Sequence, residues 1–226
     1  MTDAGNDRRG LVVDAQPGRP LLIAFSGLAL QLGMPVFEFR EITRRIDGAG
    51  FVFVRDVRRS WYHRGIEGLS GDIDETVGVL RATIDALEPT RVVTVGTSAG
   101  GYAALLFGEL LGMDETHAFG PQVFLDGPTR RRLGEHRWPK LDRLWQRGVL
   151  DVRYCDLAEV IPPTTRVRHH VWWGEARDGD AAQRLADRAT VTSFGTKHNT
   201  ARALRVAGRL EPLLTQALLG PAREPT

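Results

Sequence analysis

Cysteine is nearly absent: Cys155 stands alone. A single thiol can close no internal disulfide and form no C-x-x-C pair, which excludes a disulfide-stapled scaffold and a cysteine-rich zinc site and fits a reducing compartment. Long apolar runs are missing as well. The stretch "LLIAFSGLAL" at 21–30 is too short to cross a bilayer, and the polar start "MTDAGNDRRG" lacks the apolar core of a signal peptide. The expectation is a cytoplasmic protein with no membrane partner. Neither sign of charge dominates, since 30 basic and 28 acidic residues are interleaved along the chain. That is no nucleic-acid footprint, and the densest basic run, Arg130, Arg131 and Arg132, reads as a solvated helix face. No H-E-x-x-H, phosphate loop or G-x-G-x-x-G at the first strand–helix unit occurs, and the adjacent His169 and His170 point to opposite faces of a predicted strand. No metal and no cofactor is expected.

What is present suits one domain over residues 1–226, with tails at 1–10 and 220–226: the chain is 42% hydrophobic and long enough to bury a core without staples. Valine- and isoleucine-rich runs at 11–15, 20–27, 50–56, 91–96, 116–120, 166–174 and 189–195 read as strands, several buried on both faces. Segments of helical spacing lie between them at about 35–47, 72–87, 99–112, 181–188 and 200–219. The alternation predicts an α/β protein with a mostly parallel sheet of six or seven strands and helices on both sides. Ser70 or Asp72 can cap the helix at 72–87, and Gly112 ends the one at 99–112.

The rhythm breaks at 121–165, where prolines at 121, 128, 139, 162 and 163 surround two short helical pieces near 129–135 and 139–147. This reads as a small lid-like insertion. Its Leu141, Leu144 and Trp145 form one apolar stripe, which either packs on the body or covers substrate.

The segment "RVVTVGTSAGGYAALLFGELLG" at 91–112 runs from a β-branched strand through G-x-S-x-G into a helix-forming stretch. In that pattern the serine occupies a strained bend, so the residues two before and two after it must be small; Gly96 and Gly100 meet the need around Ser98. With this elbow, the order of strands and helices, a late histidine and an insertion after 116–120, the chain resembles the α/β-hydrolase superfamily over most of its length. Phrases such as "AFGPQ" and "HNTARAL" also look like small bacterial serine hydrolases of uncertain substrate.

The resemblance implies a catalytic triad in the chain order serine, acid, histidine. Ser98 takes the nucleophile's place. Among six histidines, only His198 falls between the last predicted strand and the last helix, where such folds carry the base. The acid belongs on the loop "GEARDGDAAQRLAD", and Asp178 matches its place best, with Ala182 and Leu185 pointing inward; Asp180, Glu175 and, after the preceding strand, Asp126 stay open as alternatives. The oxyanion hole would use the backbone N–H of Ala99 and that of Leu28, the latter from a segment that resembles the family's His-Gly-X with Ser26 replacing histidine. Trp61, Tyr62 and His63 leave the C-terminal end of a predicted strand and either line the substrate pocket or anchor their loop. The implied activity is hydrolysis of a carboxylic ester or thioester, on a small-molecule or carrier-bound acyl substrate, by a serine hydrolase (esterase or thioesterase). An acyltransferase and a catalytically silent binding partner of the same fold are the alternatives.

Overall fold

The structure, a computed structural model, describes residues 10–28 and 37–220. Seven strands form one sheet: β1 (Leu11–Asp14), β2 (Leu21–Phe25), β3 (Gly50–Val54), β4 (Val92–Thr97), β5 (Glu115–Phe119), β6 (Arg168–Trp173) and β7 (Thr190–Ser193). Their spatial order is β1-β3-β2-β4-β5-β6-β7, with β1 antiparallel to β3 and every other pair parallel. All seven predicted strands are there. β2, β3, β4 and β5 are buried at every position, as continuous apolar runs require when both faces are covered, whereas β1 and β7 at the sheet's edges are partly exposed.

Two apolar layers cover the faces. One gathers α2 (Ile73–Leu87), α3 (Ala99–Leu111), α5 (Pro139–Gln146), α6 (Leu157–Val160) and α7 (Ala176–Ala182). The other holds α1 (Arg40–Thr43), α8 (Thr200–Val206) and α9 (Leu210–Leu219). Helix α3 is the most deeply set: Tyr102, Leu105, Leu106 and Phe107 have no exposed surface, and each such side chain stabilises the fold by about 1.5–3 kcal/mol. Asp72 caps α2 by accepting from the Glu75 N–H at 2.8 Å while the Glu75 carboxylate accepts from the Gly71 N–H, a reciprocal cap. Ser70, the other capping candidate, instead bonds to Ile66 N–H and the Thr76 hydroxyl.

Four expectations are corrected. The helix expected at 181–188 begins five residues earlier and tightens into a 3₁₀ turn at Gln183–Leu185, so Asp178 sits in the first turn of α7 rather than on a loop. The helix expected at 200–219 is two, because the chain reverses at Gly208 in a left-handed conformation that glycine adopts without cost. The insertion holds three short helices, α4 (Gly127–Arg132), α5 and α6, and its apolar stripe packs on the body: Leu141 is fully buried and Leu144 and Trp145 lie against the same core layer. Of the helix expected at 35–47, residues 37–47 are described and only Arg40–Thr43 is helical; residues 35 and 36, like most of both predicted tails, lie outside the described residues. Among the described residues no helix is long and apolar enough to cross a membrane.

Candidate active site

Strand β4 ends at Thr97 and α3 begins at Ala99, so one residue makes the turn between them. That residue, Ser98, has φ 56° and ψ −119°, a conformation that costs on the order of 1–3 kcal/mol for a side chain other than glycine. The surroundings impose it. A Cβ on Gly96 would lie 2.0 Å from the Gly100 carbonyl oxygen, and one on Gly100 would lie 2.2 Å from the Phe25 carbonyl oxygen. The strand, the bend and the end of β2 therefore touch backbone to backbone, and the Ser98 hydroxyl is held up at the carboxyl edge of the sheet, where open parallel sheets place their sites.

His198 arrives from the segment between β7 and α8. Its approach depends on Gly120, where a Cβ would meet the His198 carbonyl oxygen at 2.5 Å. His198 Nε2 lies 3.1 Å from Ser98 Oγ, and Nδ1 lies 2.7 Å from Asp178 Oδ2. An ionised carboxylate only accepts, so Nδ1 carries the proton and Nε2 offers its lone pair to the serine hydroxyl. Asp178 is 3% exposed. The other acid candidates are engaged elsewhere: Asp180 is exposed, Asp126 caps α4 through the Thr129 N–H, and Glu175 lies 3.4 Å from Arg137. The structure thus brings Ser98, His198 and Asp178 into one hydrogen-bonded line.

The insertion closes the outer side of that line. Arg137 Nη1 donates to Asp178 Oδ1 at 2.9 Å and is itself gripped by Glu135. Burial works against the Arg137 cation, but Glu135 and Asp178 outweigh it and hold its proton more tightly than usual. The Trp138 ring lies 5.0 Å from the His198 ring, centroid to centroid. Neither residue was singled out by sequence, since a contact from 41 residues before Asp178 leaves no spacing signal.

On the other side stands Gln122, also unanticipated, although it lies inside the quoted "AFGPQ". Its Nε2 donates to Ser98 Oγ at 3.1 Å and its Oε1 accepts from the Trp61 indole N–H at 2.9 Å. Trp61 is buried, so it reaches Ser98 through Gln122. Tyr62 does not line a pocket: it is fully buried and its hydroxyl donates to the Ser26 carbonyl at 2.8 Å, which makes it a loop anchor. His63 anchors too, bridging the Tyr102 hydroxyl at 3.0 Å and the Asp151 N–H at 2.9 Å, and burial lowers its pKa to about 4 against the pull of Asp151.

Ala99, the first residue of α3, has one of the N–H groups that a helix start leaves without intrahelical partners, and Leu28 lies on the segment that packs against this turn. The Leu28 carbonyl accepts from Arg59 Nη2 at 3.0 Å, which steadies that segment. Glu38 is half-buried beside it. Burial pushes its carboxyl up, opposed by the nearby Thr97 hydroxyl and the Gly27 N–H.

Away from this edge, Glu115, His117 and His170 gather with ligand atoms within 4.8 Å of one another, a grouping that no spaced motif announced. The donors suit hydrogen bonding better than a cation. Glu115 already pairs with Arg91 at 2.8 Å and Arg168 at 2.6 Å, and the Trp172 indole N–H points at His117 Nδ1 from 3.4 Å, which leaves the proton on Nε2 facing Glu115. Burial alone would raise the Glu115 carboxyl, yet its histidine hydrogen bonds and Arg168 hold it well below the usual range.

No family model matches the chain, and no curated protein does. Solved structures do. The capsule O-acetyltransferase of Neisseria meningitidis serogroup A matches with a TM-score of 0.64 at 14% identity, over 92% of this chain and 91% of that one. The S-formylglutathione hydrolase of Staphylococcus aureus matches with a TM-score of 0.62 at 9% identity, over 92% of each chain. The esterase of the hyperthermophilic archaeon Pyrobaculum calidifontis matches with a TM-score of 0.56 at 14% identity, over 90% of this chain and 76% of that one. A single, mostly parallel seven-stranded sheet between two helical layers, shared with these enzymes, gives this chain the α/β-hydrolase fold.

Proposed function

We propose that the chain is a serine hydrolase that cleaves a carboxylic ester or thioester through an acyl-enzyme on Ser98. The observation that carries the reading is the continuous line from Ser98 Oγ through the two ring nitrogens of His198 to Asp178. A serine hydroxyl is a weak nucleophile at neutral pH and needs a base within reach and a third group to orient that base. In the first step Oγ attacks the acyl carbonyl as Nε2 takes its proton, and Asp178 steadies the imidazolium that forms. The N–H groups of Ala99 and Leu28 receive the oxyanion. The same proton then passes to the departing alcohol or thiol, and the reverse sequence, with water as nucleophile, frees the acid. Every proton in the cycle is handled by His198, so the chemistry calls for no cofactor.

A fluorophosphonate probe tests this directly, because it reacts with activated serines. The wild-type chain is expected to label one to one, and Ser98→Ala and His198→Ala not at all. Failure of the wild type to label would replace the hydrolase with a silent relative. Turnover of p-nitrophenyl esters beside acyl-CoA and acyl-carrier thioesters then separates the substrate classes. Transfer to an alcohol instead of water is the second reading, favoured by the likeness to an O-acetyltransferase along nearly the whole of both chains. Added alcohol that diverts product from acid to ester would support it.

A further inference from the structure

Among the described residues Ser98 Oγ has two partners, and the triad accounts for only one. His198 Nε2 accepts its proton at 3.1 Å, while Gln122 approaches from the other side with Nε2 at 3.1 Å and Oε1 at 3.4 Å. Which end of the amide faces the serine is settled by Trp61, whose indole N–H can only donate and takes Oε1 at 2.9 Å. Both Trp61 and Gln122 are buried, so no solvent competes for that bond. The loop bearing Trp61 is built for the purpose at a cost. Arg59, Trp61 and Tyr62 all have positive φ, and the buried Asp56 carboxylate holds the loop by accepting from the Ser60 and Tyr62 N–H groups.

We infer that Gln122 is a further catalytic residue, whose amide N–H stabilises Ser98 Oγ as the leaving group when the acyl-enzyme breaks down, with Trp61 as its positioning residue. The inference rests on the acyl-enzyme reading above. In the free enzyme Oγ is a hydroxyl and accepts well from Gln122. In the acyl-enzyme Oγ is the bridging ester oxygen, a poorer acceptor, and the bond weakens. During deacylation the nucleophile's proton goes to His198 and the tetrahedral adduct forms. Its C–Oγ bond then breaks with the electron pair staying on Oγ, and His198 returns the proton there. The Gln122 hydrogen bond strengthens along that last step, which is the condition for an interaction to speed a reaction. The same bond is partly lost during acylation. Gln122 therefore makes the acyl group easier to release, to water or to an alcohol alike.

The test is stopped-flow hydrolysis of p-nitrophenyl acetate by wild type and Gln122→Met, with fluorophosphonate labelling of both. Labelling reports the intact serine and histidine, so its absence in the wild type would sink the proposed function and this inference with it, whereas a wild type that labels and a Gln122→Met variant that deacylates at the wild-type rate would overturn this inference alone. In Gln122→Met, deacylation is expected to slow about tenfold, the effect of one ordinary hydrogen bond, with acylation unchanged or faster and a burst approaching one p-nitrophenolate per site. Hydroxylamine in place of water should be slowed by the same factor. Trp61→Phe keeps the amide and removes what orients it, so it is expected to shift the same ratio by less, which guards against a misfolded Gln122→Met. Equal losses in acylation and deacylation would overturn the inference. So would a loss with water alone, since that would make Gln122 a holder of the attacking water.

Discussion

Replacing Gly100 by alanine should disable the site by geometry alone, since the substitution removes no reacting group. The added methyl would lie 2.2 Å from the Phe25 carbonyl oxygen and 2.9 Å from the Ser26 carbonyl carbon. Both belong to backbone at the end of β2, held on either side by β3 and β4, so neither can swing aside as a side chain would. Relief needs a separation of about 1 Å between α3 and the β2 end, because ordinary contacts are 3.5–4.0 Å and overlap is steeply penalised. Overpacking of this kind costs about 1–3 kcal/mol, and a 1 Å displacement of the reacting geometry costs on the order of a hundredfold in rate. Gly78→Ala is the matched control. Gly78 lies within α2 with nothing within 4 Å of the added carbon, so the exchange should stabilise the fold by about 0.5–1 kcal/mol. Urea unfolding and p-nitrophenyl ester turnover of both variants supply the readout. A Gly100→Ala protein as stable and as active as wild type would show that the backbone contacts between β2, β4 and α3 are not what positions Ser98.

Further outcomes follow from the same geometry. Asp178→Asn should leave measurable residual turnover while Ser98→Ala leaves none, because the amide disturbs the tautomer of His198 but keeps the nucleophile; steady-state rates against a no-enzyme blank decide it. Arg137→Met removes the donor 2.9 Å from Asp178 Oδ1 and should lower kcat about tenfold with little change in KM, roughly the loss of one charge-assisted hydrogen bond; an unchanged kcat would reduce Arg137 to a prop for the insertion. His63 is buried and neutral in the folded chain, with its pKa lowered from 6.5 to about 4. The unfolded chain binds the extra proton first, so this contribution is complete above about pH 6.5 and is lost as pH falls toward 4, on the order of 3 kcal/mol in all. Urea midpoints of wild type and His63→Gln at pH 7 and pH 5 should differ in their pH dependence by that sense; a variant with an undiminished fall in midpoint would exclude His63 as its source.

The readable parts of this chain are those written in consecutive residues. A β-branched run closed by Gly96, then Ser98 and Gly100, specifies a strand, a bend and a helix start because each depends on neighbours within four positions. His198 was legible because the α/β-hydrolase resemblance points to the segment between the last strand and the helices that follow it, and one histidine stands there. The element that carries Asp178 was less so: this residue reads as loop in a glycine- and aspartate-rich stretch, yet packing of Ala181, Ala182 and Leu185 against the core winds it into helix. Tyr62 stayed open between pocket and anchor for a related reason, since an aromatic after a strand end reads alike whether its ring faces a cleft or the core.

From its order of residues alone the chain determined its alternating elements and the strained serine, consequences of local sterics and hydrophobic period, while His198 was singled out by the resemblance to α/β-hydrolases. Only the tertiary structure decided which carboxylate meets His198, that Arg137 and Trp138 of the insertion cover this pair, and that Gln122 faces the nucleophile under the control of Trp61. Those contacts join residues 20 to 61 positions apart, and their geometry comes from how two helical layers seat on one sheet, which no short stretch of sequence encodes.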